Sequence, residues 1–230
     1  MAEEPMQYTL EGAVAVIRLD DGKANALSHT LLDALHGAFD RAEKEEARAV
    51  AVVGRPGRFS AGFDLSVMSQ GPDAVRDLVS KGARLAQRVF ESPVPVVLGV
   101  TGHALAMGAV LCLAADERIG SDGAYKIGLN EVAIKMTLPE FALVLAADRL
   151  SRRHLTRATT AAEIYSPAGA VEAGYLDRVV ADGEADTAAR ARAAELAEIL
   201  HGRSHDLTKK ALRRDVHARM RAAVEGFTGL

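Results

Sequence analysis

One cysteine, Cys112, stands among 230 residues, so no internal disulfide can form and no C-x-x-C metal pair exists. His201, His205 and His217 fall at no metal-ligand spacing, and no metal is expected. Charge of one sign is not in excess. A net charge of -3 and a sequence pI near 6.2 give no general attraction to nucleic acid. Long apolar runs are missing too, because Asp116 and Glu117 close the longest one before it reaches the roughly 18 residues of a membrane-spanning helix. The start, Met1-Ala2-Glu3-Glu4-Pro5, is acidic and lacks the basic and apolar regions of a signal peptide. These absences lead to the expectation of a cytoplasmic protein without nucleic-acid or membrane partners.

What is present is a chain with 49% hydrophobic and 26% charged residues, enough to bury a core as one large domain or as a domain with an appendage. Residues 8–12 and 14–19 read as strands turning at Gly12. Ser28 reads as the N-cap of a helix to about Glu46, with Leu31, Leu32, Leu35, Phe39 and Ala42 on one face. A strand at Val50–Gly54, a small-residue turn and an amphipathic helix from about Asp73 to Glu91 follow. Short strands are expected at 118–120 and 124–127, a helix from Pro139 through Leu150, helices around 152–160 and 168–173, and a last strand at 176–180. A composition shift near Ala181-Asp182-Gly183 divides a core, 1–183, from a tail, 184–230, with two helical patterns broken near Gly202. Strand-turn-helix units recur without a fixed period.

The chain is organised around Thr101 to Asp116. The β-rich run Val94–Val100 leads into Gly102, and from about Leu105 the residues are small or apolar with no charge before Asp116. A helix apolar on every side is buried. Its first turn leaves N–H groups without partners at the positive end of the helix dipole. Those groups suit a ligand oxygen, and Ala104, Ala106, Gly108 and Ala109 let a ligand approach the backbone. The same features also fit a plain core helix. A second joint, Gly57-Arg58-Phe59-Ser60-Ala61-Gly62-Phe63-Asp64-Leu65, follows the strand Val50–Gly54, and two such turns can aim two backbone donors at one point.

Phe59–Leu65, Gly102–Gly108, Ile127–Glu131 and Ala173–Asp177 resemble, in order and spacing, the signature of the crotonase superfamily, the enoyl-CoA hydratase/isomerase family. The resemblance spans nearly the whole chain. It implies an α/β fold, a spiral of ββα turns with a C-terminal helical region that makes a homotrimer or a dimer of trimers. It implies an acyl-CoA thioester as ligand, with coenzyme A part of the substrate and no separate cofactor. By position, the N–H groups of Phe63 and Met107 hold the thioester oxygen. Lys23, just before Ala24-Asn25-Ala26, matches a basic position near the CoA phosphates, although a loop lysine can equally be solvated. The implied substrate-binding set is Lys23, Ala24, Ala61, Phe63, Asp64, Leu65 and Met107. Asp64 would act through its backbone, or its side chain fixes the turn after Phe63.

Chemistry at the α or β carbon of a thioester passes through an enolate-like species, whose charge two fixed N–H donors and a helix N-terminus stabilise. Its base remains to be supplied. Hydratases of the resembled family use two glutamates; the first position is Val110 here and the second is Glu131. Leu129, Val132 and Ile134 give Glu131 an apolar neighbourhood, which makes a carboxylate a better base at neutral pH. One carboxylate suffices to shuttle a proton between two carbons, as in a Δ3-Δ2 enoyl-CoA isomerase, and Ile127–Glu131 resembles the isomerase branch. Hydration of a 2-enoyl-CoA, with Glu131 or a second acid activating water, is the alternative. An inactive acyl-CoA-binding scaffold that kept the fold is the reading from another class.

The alternative for Glu131 is to cap or pair with a neighbouring strand, and Glu140 fits the acidic first turn of a helix. Met107 stands where many members of the resembled family have glycine, which narrows the space near the thioester. The glycine-rich segment common near Leu138–Ala142 is missing. His103 reads as a packing or hydrogen-bonding residue and Cys112 as a buried small hydrophobe. Asp116 and Arg118 are expected to end the central helix and pair locally. Arg213, Arg214, Arg219 and Arg221 form a basic helical face, either solvated or facing CoA phosphates of a neighbouring subunit.

Overall fold

The computed structural model describes residues 5–227; residues 1–4, most of the acidic start, and 228–230 lie outside the described residues. Strands β1 (Met6–Glu11) and β2 (Val14–Leu19) pair antiparallel about the turn at Gly12. Helix α1 (His29–Lys44) is capped as expected by Ser28, whose Oγ accepts the Leu31 N–H at 3.3 Å.

Three turns of one plan follow. The first is β3 (Ala49–Val53), β4 (Gly57–Ser60), the short α2 (Leu65–Met68) and the long α3 (Pro72–Glu91). The second is β5 (Val96–Val100), β6 (Gly102–Leu105) and α4 (Met107–Ala114). The third is β7 (Glu117–Ser121), β8 (Ile127–Gly128), a 3-10 turn at Val132–Ile134 and α5 (Glu140–Arg149). The chain ends through α6 (Leu155–Ala158), α7 (Pro167–Ala173), β9 (Arg178–Val180), α8 (Ala185–Ile199), α9 (Gly202–Leu212) and α10 (Arg214–Glu225). Several expected bounds shift. The small-residue turn after β3 contains strand β4, and the central helix begins at Met107 because Gly102–Leu105 is a strand. The strand expected at 124–127 is reduced to β8, and the tail holds three helices among the described residues. Short strands of small residues have no periodicity to betray them.

The first strand of each turn joins a six-stranded sheet of order β1-β2-β3-β5-β7-β9, parallel except for β1. The second joins a three-stranded parallel sheet, β4-β6-β8. Central strands of the large sheet are buried on both faces, which is why they read as unbroken apolar runs. Val50, Val52, Val96 and Leu98 face the main core with α1, α3, α4 and α5, whereas Ala51, Val53, Val97 and Ile119 face a second layer made by Ala189, Ala193 and Ala197 of α8. Contact there is close: a Cβ on Gly99 would lie 2.8 Å from the Ala185 carbonyl oxygen. The composition shift near 183 is therefore no packing boundary, since α8 closes the sheet.

Asp116 and Arg118 do not pair locally. Asp116 accepts from Lys209 at 2.7 Å and Arg213 at 2.8 Å, and Arg118 donates to Asp177 at 2.8 Å. The four-arginine face is also absent, because Arg213 is buried against Asp116 and Phe90 while Arg221 is paired with Glu91. Only across the fold do these charges find counter-charges.

Candidate active site

Three stretches singled out in the sequence come together because β4, β6 and β8 lie side by side. Ser60 is in register with Ala104, and Ala104 with Ile127. The residues just past those strands, Ala61-Gly62-Phe63, Ala106-Met107 and Leu129-Asn130-Glu131, therefore emerge at one edge. Carboxyl ends of parallel strands are where open α/β sheets bind ligands.

Backbone geometry leaves the two expected donors free. Leu27 brackets the first joint, donating to the Gly62 carbonyl at 2.8 Å and accepting from Asp64 at 3.2 Å, while the Phe63 N–H between them has no protein acceptor among the described residues. Met107 opens α4, and its N–H is likewise unpaired. The joints abut. Gly62 has φ +91°, and a Cβ there would sit 2.7 Å from the Ala106 Cβ and 3.2 Å from Met107 N. Ala106, capping α4, has φ +49° and ψ -122°, a conformation costing on the order of 1–3 kcal/mol for a residue with a side chain. Its N–H donates to the Gly128 carbonyl at 3.0 Å, which ties the second turn to the third.

Glu131 precedes the 3-10 turn, and its carbonyl accepts from Ile134 and Met136. Its side chain makes no cap bond, and its buried Oε2 has no partner among the described residues. The alternative of Glu131 as a cap or strand partner thus falls. Glu131 lines a narrow cavity of about 20 Å³ with Phe63, Val79, Met107, Val110, Met136 and Phe141. Burial pushes its pKa up to about 7. Val110 lines the same cavity and brings no second acid, and exposed Glu140 is not part of the lining.

The remaining predicted positions, Lys23, Ala24, Ala61, Asp64 and Leu65, are not part of the cavity lining. Lys23 is exposed, with its carbonyl held by Arg55 at 3.0 Å, and the Ala61 N–H donates to the Ala24 carbonyl at 3.0 Å. Asp64 has its N–H bound to Leu27 and its carboxylate capping α2 through the Ser66 N–H at 2.8 Å. It fixes the turn, and its N–H is not available to a ligand. Leu65 is an exposed apolar residue beside it. His103 accepts the Lys126 N–H at 3.0 Å and meets Tyr125 edge-on, outside the cavity. Among the described residues no cluster of His, Cys, Asp or Glu could hold a metal.

Sequence reading passed over several residues that shape the site. Asn25, buried at φ +51°, donates to the carbonyls of Leu19, Arg58 and Phe59 and so pins the Lys23–Ala26 loop to β4. Gly82 of α3 leaves the notch into which the Phe63 ring fits, since a Cβ there would collide with it. Met136, Thr137 and Phe141 line the cavity. An asparagine inside a loop at a turn was a usable signal; the others carried none.

Fold and site together define an α/β protein of the crotonase class. The chain belongs to the enoyl-CoA hydratase/isomerase family, whose sequence profile matches residues 9–227. A solved enoyl-CoA hydratase/isomerase family protein from Pseudomonas syringae superposes with a TM-score of 0.93 at 40% identity, covering 98% of this chain and 97% of that one. An enoyl-CoA hydratase from Mycobacterium marinum gives 0.92 at 34% identity, covering 97% of each chain. Mouse mitochondrial enoyl-CoA delta isomerase 1 is 29% identical over 205 residues, 87% of this chain and 71% of the relative.

Proposed function

We propose that this protein shifts the double bond of a 3-enoyl-CoA to give the 2-enoyl-CoA. The carrying observation is that Glu131 is the one carboxylate lining the cavity among the described residues, with Val110 in the wall where a second acid would be needed for hydration. In this reading the Phe63 and Met107 N–H groups hold the thioester oxygen. Glu131 takes a proton from C2, and the charge gathers on that oxygen beside the N-terminus of α4. The protonated Glu131 then returns its proton to C4, leaving the double bond between C2 and C3. No water is consumed and no cofactor is needed beyond the coenzyme A of the substrate. Relatives named as isomerases and as hydratases both fit the family, so the missing second acid is what favours isomerisation.

Lys23 and its neighbours Ala24 and Ala61 are proposed to meet the CoA moiety, with Leu65 beside them. No described helix is long and apolar enough to cross a membrane, and we place the activity in the cytoplasm. Incubation with a 3-enoyl-CoA and, separately, a 2-enoyl-CoA tests the assignment. Conversion of the first to 2-enoyl-CoA without 3-hydroxyacyl-CoA from the second is expected. Hydroxyacyl product from the second means hydration, and binding without turnover means a scaffold.

A further inference from the structure

Resting on the assignment of Glu131 as base, we propose that the site takes short acyl chains and that the Met107 side chain sets the limit. The lining has a mouth and a floor. Met136, Thr137 and Pro139 are partly open to solvent, whereas Val79, Met107, Val110 and Phe141 are each 1% exposed and Ala142 is fully buried. A chain whose thioester sits at the Phe63 and Met107 amides, with C2 and C4 beside Glu131, must run its remaining carbons toward that floor.

Little room is left there. Holding one water takes about 10–15 Å³ of such space, and the cavity offers about 20 Å³. A methylene has about the bulk of a water, so the cavity as it stands takes one or two carbons of the chain, and every further carbon must displace the lining. The floor residues belong to the continuous core, and forcing extra methylenes into packed core costs about 1–3 kcal/mol. Between α3 and α4 the way is closed by two side chains. Both the Phe63 ring and the Met107 Cε lie against the surface of Gly82, the latter 3.6 Å from where a Cβ would be. Met107 is an unbranched, adaptable filler in that gap; truncating it opens a path between the helices without touching the backbone N–H.

Kinetics of the full chain on 3-butenoyl-, 3-hexenoyl- and 3-dodecenoyl-CoA test this, alongside calorimetric binding of butyryl-, hexanoyl- and dodecanoyl-CoA. The twelve-carbon chain should be about tenfold or more worse than the six-carbon chain in both kcat/KM and affinity. Met107→Ala should improve the twelve-carbon to six-carbon ratio by about tenfold. Val79→Ala, on the facing wall, should move the ratio the same way and serves if Met107→Ala does not fold. Equal or tighter handling of the twelve-carbon chain by the wild-type protein overturns the proposal; that chain would then leave through the mouth toward exposed Val132 and Ile134. An unchanged ratio in both variants overturns it as well. A binding cut-off by length without turnover of any thioester sustains the size limit and instead sinks the isomerase assignment.

Discussion

Oε2 of Glu131 is buried without a partner among the described residues, and burial lifts its carboxyl from 4.5 to about 7 against a smaller downward pull from its own backbone. The consequences for stability and activity run in opposite directions. Below pH 4.5 the group is protonated in both folded and unfolded chains, and above about 7 it is ionised in both, so the folded state loses stability as pH rises through that window. The full drop is on the order of 3 kcal/mol. Glu131→Gln removes the titration, so its urea midpoint should exceed that of the wild type at pH 8 and converge with it near pH 4. The same variant should lose about 10²–10⁴-fold in turnover, and wild-type kcat/KM should climb with pH to a plateau above about 7. A variant that is no more stable at pH 8, or that keeps full activity, would contradict this account. Glu131 was legible in the sequence by its motif; of the three apolar neighbours expected around it only Leu129 is buried, while Val132 and Ile134 are exposed. That its oxygen is left unpaired was not legible, because satisfaction of a buried atom depends on everything packed around it.

At the scale of elements, β6 and α4 illustrate how a short strand is hidden by a helix. Gly102–Leu105 is four residues long and leads directly into an apolar helix, so the run reads as one piece, and the strained Ala106 that separates them leaves no mark on the pattern. Helix α8 is the opposite case. Its alanines at 189, 193 and 197 favour a helix but mark no strongly apolar face in the sequence, yet each is packed on the large sheet. Small side chains there let the helix backbone come within contact of Gly99. Ala193→Asp places a charge against Val97 and its neighbours and should destabilise the protein by about 3 kcal/mol or more, read as a lowered urea midpoint by circular dichroism. The exposed Glu198→Asp on the same helix should stay within about 0.5 kcal/mol.

For the whole molecule, Asp116 is the junction. It closes α4, accepts the Val96 N–H of β5 at 2.9 Å, and holds Lys209 of α9 and Arg213 before α10, thereby fastening the tail to the core. The tail's outer surface carries three apolar side chains, Leu207 56%, Leu212 82% and Ile199 62% exposed. Isolated apolar side chains at a surface need no explanation, but three on the end of α8 and along α9 fit the trimer or dimer of trimers that the family resemblance implies. Light scattering should give about three times 24.3 kDa, or twice that for a dimer of trimers, and Leu212→Asp should shift the mass toward the monomer while leaving the circular dichroism unchanged. A monomeric wild-type mass would refute the assembly.

The sequence by itself determined what depends on near neighbours. It contained the two strand-to-helix joints, the all-apolar helix, the valine at 110 in place of an acid, and the strands whose unbroken apolar runs require cover on both faces. Only the tertiary structure decided which of these meet. Phe63, Met107 and Glu131 share an edge because β4, β6 and β8 are neighbours in one small sheet. Arg118 finds its partner 59 positions away, and Asp116 finds its partners 93 and 97 positions away. Hydrophobic periodicity is written within a few turns of chain, whereas strand order, ion pairing and the desolvation of a single carboxylate are set by packing between distant segments.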